Sequence, residues 1–476
     1  MTSSTTTETK ASWSELFARS HRGVTVVLAG GVAMYATNVY LTTTLLPSAV
    51  HEIGGERYYA LAMSGFLIAS VITSMFVRRV LDRFGPVGAY TIALSAFALG
   101  SALAAVAPSM TVLLLARGFQ GLGGGLITGL GYAMVRLAMP EHLRGRAIGL
   151  VSAMWGVGNV VGPLLGGLFA QFQAWRAAFW LLVVISLLLG LLAYRSLPSR
   201  EKHKAVGRLP LGSLLLLTLS VAGVSAASVV EQGWASWLLL AAAVACLVLF
   251  VIADRRALEG VLPQITYLRG SSLKWVYSGL ALLVIGSTIE TYIPLFGQTL
   301  GGLSPLGAGL LGAVLSWGWS FGGILSSSVD NPRLKASARV VGPVVLGVGL
   351  TVYGLLQTAS PSPLVLICWF ATLFIAGLGI GIAFVHNVTA AMSSTEDPED
   401  AMQASAGANT VQLISTAFGA AITGLVVNLG IGAGEATASR ALAFVMAAIV
   451  FAGALLTAST MKRRQDLPDQ LRSDPR

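Results

Sequence analysis

Apolar runs long enough to cross a bilayer recur along almost the whole chain, and no other feature constrains the fold so tightly. A spanning helix needs ~20 mostly apolar residues, and fourteen such runs stand at roughly 23–47, 58–77, 88–107, 109–135, 146–170, 176–194, 209–230, 235–253, 273–298, 303–327, 338–358, 363–388, 402–429 and 439–461. With no water in lipid, each segment must satisfy its own backbone, so runs of this length are read as α-helices. Only 11% of the residues are charged, where a soluble domain carries about 25%. An all-α membrane protein with fourteen transmembrane helices is expected.

The charges orient it. With fourteen runs both termini share a side, and 26 of the 30 Lys and Arg fall on it. Arg57, Arg176 and Arg440 are left on the far side, and Arg117 inside a run. Basic residues mark cytoplasmic loops, so both termini are expected in the cytoplasm of a cell-membrane, multi-pass protein. The pI near 9.9 therefore implies no nucleic-acid partner. The first ~20 residues are polar, so no cleavable signal peptide is expected. Trp13, Leu16 and Phe17 form an amphipathic piece suited to the interface. Cys246 and Cys368 both sit in apolar runs, which argues against a disulfide framework.

The plan reads six, two, six. Residues 1–22 form an N-terminal segment with the interfacial piece. Residues 23–208 are a six-helix half with its basic loop, which runs from Arg195 to Arg208. Residues 209–272 are an inserted two-helix hairpin, turned at Glu231-Gln-Gly-Trp, with a loop after it. Residues 273–461 are the second six-helix half and 462–476 a tail. Transporters commonly duplicate a six-helix half around a central site. The hairpin is expected outside the pathway.

Several stretches carry mechanism. Gly158, Gly162 and Gly166 fall four residues apart on one helical face, where a neighbouring backbone can approach closely. Pro163 removes a backbone donor there and bends the helix. The order Gly-x-x-x-Gly-Pro-x-x-Gly-Gly, closing on Gly166 and Gly167, resembles the fifth-helix antiporter motif of major facilitator superfamily exporters. Arg78-Arg-Val-Leu-Asp82-Arg83-Phe-Gly85-Pro86 is similar to that family's gating loop: Asp82, Arg83 and Gly85 match, while Arg78 and Pro86-Val87 depart. Arg117-Gly-Phe-Gln120-Gly121 resembles its fourth-span pattern. Glu141-His-Leu-Arg144-Gly-Arg146 opens the fifth run as in the family. Leu303-Ser-Pro-Leu-Gly307-Ala-Gly309 and the six-two-six plan resemble the fourteen-span drug:proton antiporters, actinobacterial multidrug efflux proteins among them.

That resemblance implies a monomeric secondary transporter in the bilayer, using protons to export amphipathic or drug-like small molecules by alternating access. It implies no cofactor, metal or enzymatic role, and no Walker sequence points to ATP. One departure bears on coupling. Aligned on Pro47, Asn38 stands where the family's first span carries its proton-binding acid, and an amide does not titrate. Glu290 is then the carboxylate within a run, ~10 Å deep, near the depth of Asn38 (~13 Å) and Arg117 (~12 Å) at 1.5 Å per residue. Glu290 is expected to carry the proton, with Arg117 biasing it or holding an anionic group. Candidates for an apolar pocket are Asn38, Tyr35, Gln120, Tyr292, Trp317 and Trp369. His386 is the histidine within a run. Two other readings remain open here. One is export of a lipid or self-made metabolite. The other is an intramembrane hydrolase using Ser320, within Gly318-Trp-Ser320-Phe-Gly322, and His386; it lacks the strand–turn–helix setting that motif needs.

Overall fold

A computed structural model of the protein describes residues 13–198, 210–230, 233–257, 260–268, 270–329, 331–395 and 397–465. These residues build helices and connecting turns, with no strand among them. After a short α1 (Trp13–Leu16), the first half comprises α2 (Arg22–Ile53), α3 (Tyr59–Ser74), α4 (Val77–Ala105), α5 (Met110–Ala138), α6 (Glu141–Gln171) and α7 (Trp175–Ser196). The inserted pair is α8 (Leu211–Val229) and α9 (Trp234–Arg256). The second half comprises α10 (Leu273–Ser287), α11 (Ile293–Thr299), α12 (Pro305–Ser327), α13 (Pro332–Leu355), α14 (Pro363–Met392), α15 (Pro398–Gly430) and α16 (Glu435–Gln465). Most of the Arg195–Arg208 loop, the Glu231–Gln232 turn and the tail after Gln465 lie outside the described residues.

Among the described residues, thirteen helical runs are long and apolar enough to cross a membrane, with α10 and α11 joined as one. The fourteenth expected run is α3, which has only 16 residues. At 1.5 Å per residue it spans about 24 Å, short of the ~30 Å hydrocarbon core. Its last turn is loosened by hydroxyls that compete for backbone carbonyls: Thr73 Oγ1 donates to the Ala69 carbonyl (3.0 Å) and Ser74 Oγ to that of Val71 (2.8 Å).

Two further breaks differ from unbroken spans. Helix α4 begins ahead of its apolar run, and Gly85 interrupts it at φ +70°, where a side chain would be strained. Pro86, with its fixed φ, restarts the helix, so the expected gating loop is itself a short helix joined to the span. The ninth run breaks at a 3-10 turn, Thr288–Thr291, and resumes as α11 with Pro294 in its first turn. Ser287 and Thr288 hydroxyls donate to the carbonyls of Val284 (2.7 Å) and Ile285 (2.6 Å) just before the break.

Glycine seams set how the helices pack. A Cβ on Gly162 would lie 2.6 Å from Tyr40 Cβ, and one on Gly166 would lie 2.7 Å from the Leu41 carbonyl oxygen. Gly158 likewise faces the Ala36–Thr37 backbone, so the α6 seam closes on α2 within its own half. Gly167 points the other way, 2.8 Å by the same measure from Leu306 Cα of α12. In the second half Gly318 and Gly322 of α12 meet Gly377, Leu378 and Gly381 of α14 backbone to backbone. The two halves meet through α3 with α15 and through α6 with α12. Helix α8 packs against both α3 and α15, so the inserted pair sits at the seam between the halves, with α9 outermost against α8.

Candidate functional site

The first half holds a buried cation in a cage of neutral acceptors. Arg117 has no exposed surface. Its Nε donates to the Ala62 carbonyl (3.2 Å), and its Nη1 to Asn38 Oδ1 (3.2 Å) and to Gln120 Oε1. The guanidinium lies 4.2 Å over the Phe66 ring, and Phe66 packs on Tyr35, which meets Trp155 edge-on. A charge at mid-bilayer costs about 2.5–3.5 kcal/mol on insertion scales. Hydrogen bonds to charged groups return about 1.5–3 kcal/mol each, so three of them offset that cost. Asn38 Oδ1 also accepts from Thr42 Oγ1 (3.4 Å), and Gln120 Nε2 donates to Ser101 Oγ (2.8 Å). Asn38 Nδ2 and the Tyr35 hydroxyl are buried without a hydrogen-bond partner among the described residues.

Glu290 stands apart from this cage. It lies in the 3-10 turn between α10 and α11, half-buried, and its Oε2 accepts from Ser316 Oγ of α12 (3.2 Å). Tyr40 of α2 faces Ser316 and lies within electrostatic reach of Glu290, so the carboxylate looks across the seam between halves. Among the described residues no ion pair joins Glu290 to a cation, and Arg117 spends its donors on Asn38, Gln120 and Ala62. The other acids inside candidate spans stand at their margins. Glu52 and Asp254 fall within two residues of Ile53 and Arg256, Asp82 precedes the Gly85 break, and Glu435 starts α16.

The aromatic candidates divide. Tyr292 packs at a tilt against Tyr59 of the first half, ring centroids 4.8 Å apart, and stacks on Phe296 (5.9 Å). Trp317, half-buried on α12 beside Ser316, has an indole N–H without a partner among the described residues. Trp369 is not brought to this region. It is fully buried within the second half, against Tyr353, and its Nε1 donates to the Leu356 carbonyl (3.2 Å). Gln120 lies inside the first half as a brace for Arg117 rather than on the seam between halves. Spacing shows the Arg117–Gln120 pair, three apart on one helix, but nothing local marks Ser316, Ser101 or Phe66 as partners.

On the far side the two halves touch around a cavity of about 490 Å³ lined by Arg57, Tyr59, Tyr292, Phe296 and Asn428. Asn428 Nδ2 of α15 donates to the Arg57 carbonyl (2.9 Å) and to the Ser228 carbonyl of α8 (2.8 Å), and Arg57 Nη2 donates to the Val229 carbonyl. Tyr59 on Tyr292 and Gly167 on Leu306 join the halves on the same side. On the basic side, Asp82 is half-buried, one of its carboxylate oxygens has no hydrogen-bond partner among the described residues, and Arg83 lies over Phe84 (5.6 Å). Ser320 Oγ donates to the Ser316 carbonyl (3.1 Å) between two seam glycines. His386 lies near Lys335, Arg339 and the Ser326 backbone, so Ser320 and His386 do not form a nucleophile–base pair. Among the described residues no cluster of His, Cys, Asp or Glu could hold a metal.

Residues 28–420 match the family model described as Major Facilitator Superfamily. A Mycobacterium tuberculosis protein named "Probable multidrug-efflux transporter" is 39% identical over 468 residues, covering 96% of this chain and 98% of its own length. A Staphylococcus aureus "Multidrug efflux pump" is 26% identical over 314 residues, 65% of this chain and 68% of that one. Among solved structures, an auto-inhibited peptide transporter of the POT family is similar at TM-score 0.65 and 16% identity, with 94% of this chain and 98% of that one covered. A bacterial homolog of the human lysosomal transporter Spinster, inward-facing and unoccupied, reaches TM-score 0.64 at 16% identity, over 92% and 94%. At such identities the solved structures speak for the fold alone.

Proposed function

The chain belongs to the major facilitator superfamily, and from that premise we propose that it exports amphipathic, drug-like small molecules in exchange for protons, by alternating access. It is a multi-pass membrane transporter rather than an enzyme, as its family and fold are. The drug-like cargo rests on the names of its relatives and on the aromatic residues Tyr59, Tyr292 and Phe296 that line the cavity between the halves. The basic side is the cytoplasm, by the 26-to-3 distribution of Lys and Arg. On the far side the halves are joined by the Arg57–Asn428 contacts and the Gly167–Leu306 approach, and alternating access requires these to part and re-form.

Glu290 carries the proposal. It is the acid placed well inside a span, and it sits at a helix break against α12 and α2, where a change in the halves' separation alters its surroundings. Asn38 lies on Arg117 and has nothing to titrate. A ligand shifts an equilibrium only by binding one state better than the other. Protonation of Glu290 does so if one state buries the carboxylate and the other wets it. Arg117 then serves as a fixed positive field in the first half, braced by Gln120, rather than as the proton's direct partner.

The test is substrate-induced proton release from detergent-purified protein, wild type against Glu290→Gln, using an amphipathic dye established as a substrate by liposome uptake. The variant mimics the protonated form and is expected to bind the dye, to release no proton, and to lose pH-gradient-driven uptake. Asn38→Asp in the Glu290→Gln background adds a titrating group beside Arg117 and is expected to return a proton-release signal at lower pH. Equal release from wild type and Glu290→Gln would place the proton elsewhere, with His386 next in line.

A further inference from the structure

A cavity lies at the basic end of the second half, away from Glu290. It has a volume of about 530 Å³ and is bounded by the starts of α10 and α13 and the ends of α14 and α16. Its polar wall brings together Lys274, Arg339, Ser271, Ser272 and the indole of Trp275, and no described lining residue is acidic. Its apolar wall includes Val276, Leu456 and Met461.

The donors are arranged for one kind of ligand. Arg339 is oriented by its Nε, which donates to Asn387 Oδ1 (3.1 Å). Ser271 Oγ accepts from the Leu273 backbone N–H (3.2 Å), so its own O–H remains to donate. Lys274 is exposed, and its Nζ sits 5.8 Å over the Trp275 ring, which is itself 42% exposed. Two cations, hydroxyls and an indole N–H suit a group with several oxygen acceptors and negative charge. The adjoining apolar wall and the exposed Leu455 suit a hydrocarbon chain leaving that group. The central coupling site needs neither feature on this side.

We propose that this cavity binds the phosphate headgroup of an anionic phospholipid from the surrounding leaflet, with an acyl chain against Leu456 and Met461. Basic pockets between helices on the cytoplasmic side of a membrane have the right charge and depth for such headgroups. All four bounding helices belong to the second half, so the lipid would ride with one half through the cycle. The inference depends on which side is basic and not on the cargo or the coupling ion.

Native mass spectrometry of the full-length protein, titrated separately with phosphatidylglycerol, phosphatidylcholine and inorganic phosphate, tests it. Phosphatidylglycerol is expected to bind at one saturable site more tightly than phosphatidylcholine. Lys274→Gln should weaken it about fivefold, from ~1 kcal/mol per basic residue near the surface. Lys274→Arg should restore it, and Arg195→Gln, on the same side in the first half, should leave it unchanged. Lys274 is exposed, so its replacement does not threaten the fold, and unaltered dye binding checks that. Equal binding of the two lipids, or equal loss in Lys274→Gln and Arg195→Gln, overturns the proposal. Inorganic phosphate competing at the same concentration as the lipid overturns the lipid assignment and leaves a free-phosphate site.

Discussion

Gly162→Ala tests the helix seam on which the first half is built. The added Cβ would lie 2.6 Å from Tyr40 Cβ and 2.9 Å from the Thr37 carbonyl oxygen. Carbon atoms in contact sit ~3.5–4.0 Å apart, so α2 and α6 must separate by roughly 1 Å to admit one methyl. Both obstacles are backbone or Cβ atoms, which cannot swing aside. Overpacking of this kind costs about 1–3 kcal/mol, and Leu at the same position costs more. Gly156, on the same helix, has no atom within 4 Å of the equivalent point and is the internal control. Efflux of the dye from intact cells, normalised to protein in the membrane, and the thermal midpoint of purified protein are the readouts. Gly162→Ala is expected to lower both, and Gly156→Ala neither. Gly167 adds a second arm because its obstacle is Leu306 of the other half. The same 1–3 kcal/mol there acts on the contact between halves and shifts the ratio of states roughly 5–150-fold. Gly167→Ala should therefore make a cysteine at Gln298 label faster from the far side while the thermal midpoint moves little. Equal effects of the Gly156 and Gly162 substitutions, or wild-type behaviour of both seam variants, would refute the assignment of faces.

Two other outcomes follow from the same geometry. Asp82→Asn should slow turnover and leave dye binding largely intact, because Asp82 lies in the short helix before Gly85 and not at the coupling region; abolished binding in a folded variant would remove the gating role. A cysteine at Arg256 should react with a membrane-impermeant maleimide only from the cytoplasm, and one at Gly233 only from outside; the reverse pattern at either position would remove the inserted pair from the topology.

Much of the architecture was legible in the sequence because membranes impose a simple code. Length and hydropathy mark spans, and basic loops mark sides, so six, two and six runs emerge without side-chain detail. The code fails where a helix is shaped by polar groups inside the apolar run. Nothing in the hydropathy of 58–77 or 273–298 shows that Thr73 and Ser74 end α3 early, or that the ninth run breaks at Thr288–Thr291. The seam glycines were readable as a face, but not the face's partner: one helix turns Gly162 toward its own half and Gly167 toward the other. Depth along the spans put Asn38, Arg117 and Glu290 at one level. Depth is a single coordinate, and the bundle divides that level into two clusters. Trp369 shows the same limit: an aromatic ring suits a pocket and a packed interior equally, and its partners Tyr353 and Leu356 are distant in sequence.

The division of those clusters explains how Asn38 can stand where the family resemblance leads one to expect an acid. An acid at that position would meet the guanidinium 3.2 Å away and form a buried ion pair. With Asn38, the amide oxygen still accepts from Arg117 and Thr42, so the cage keeps its hydrogen bonds while losing its titration. The lone positive charge is carried by three neutral acceptors and the face of Phe66, which is enough to hold Arg117 where an unbraced guanidinium would be expelled. A buried pair commits both partners to each other, since removing either strands the other at a cost of about 3–5 kcal/mol. Glu290 carries no such commitment. Its bonded partner Ser316 is neutral, and it sits on a turn between helices and not within a rigid span. A carboxylate held by one neutral hydroxyl at a break between halves exchanges a proton with less rearrangement than one locked to a guanidinium. On the proposed coupling through Glu290, proton binding lies in the second half, apart from the structural cage around Arg117, and only the former would have to change as the halves rock.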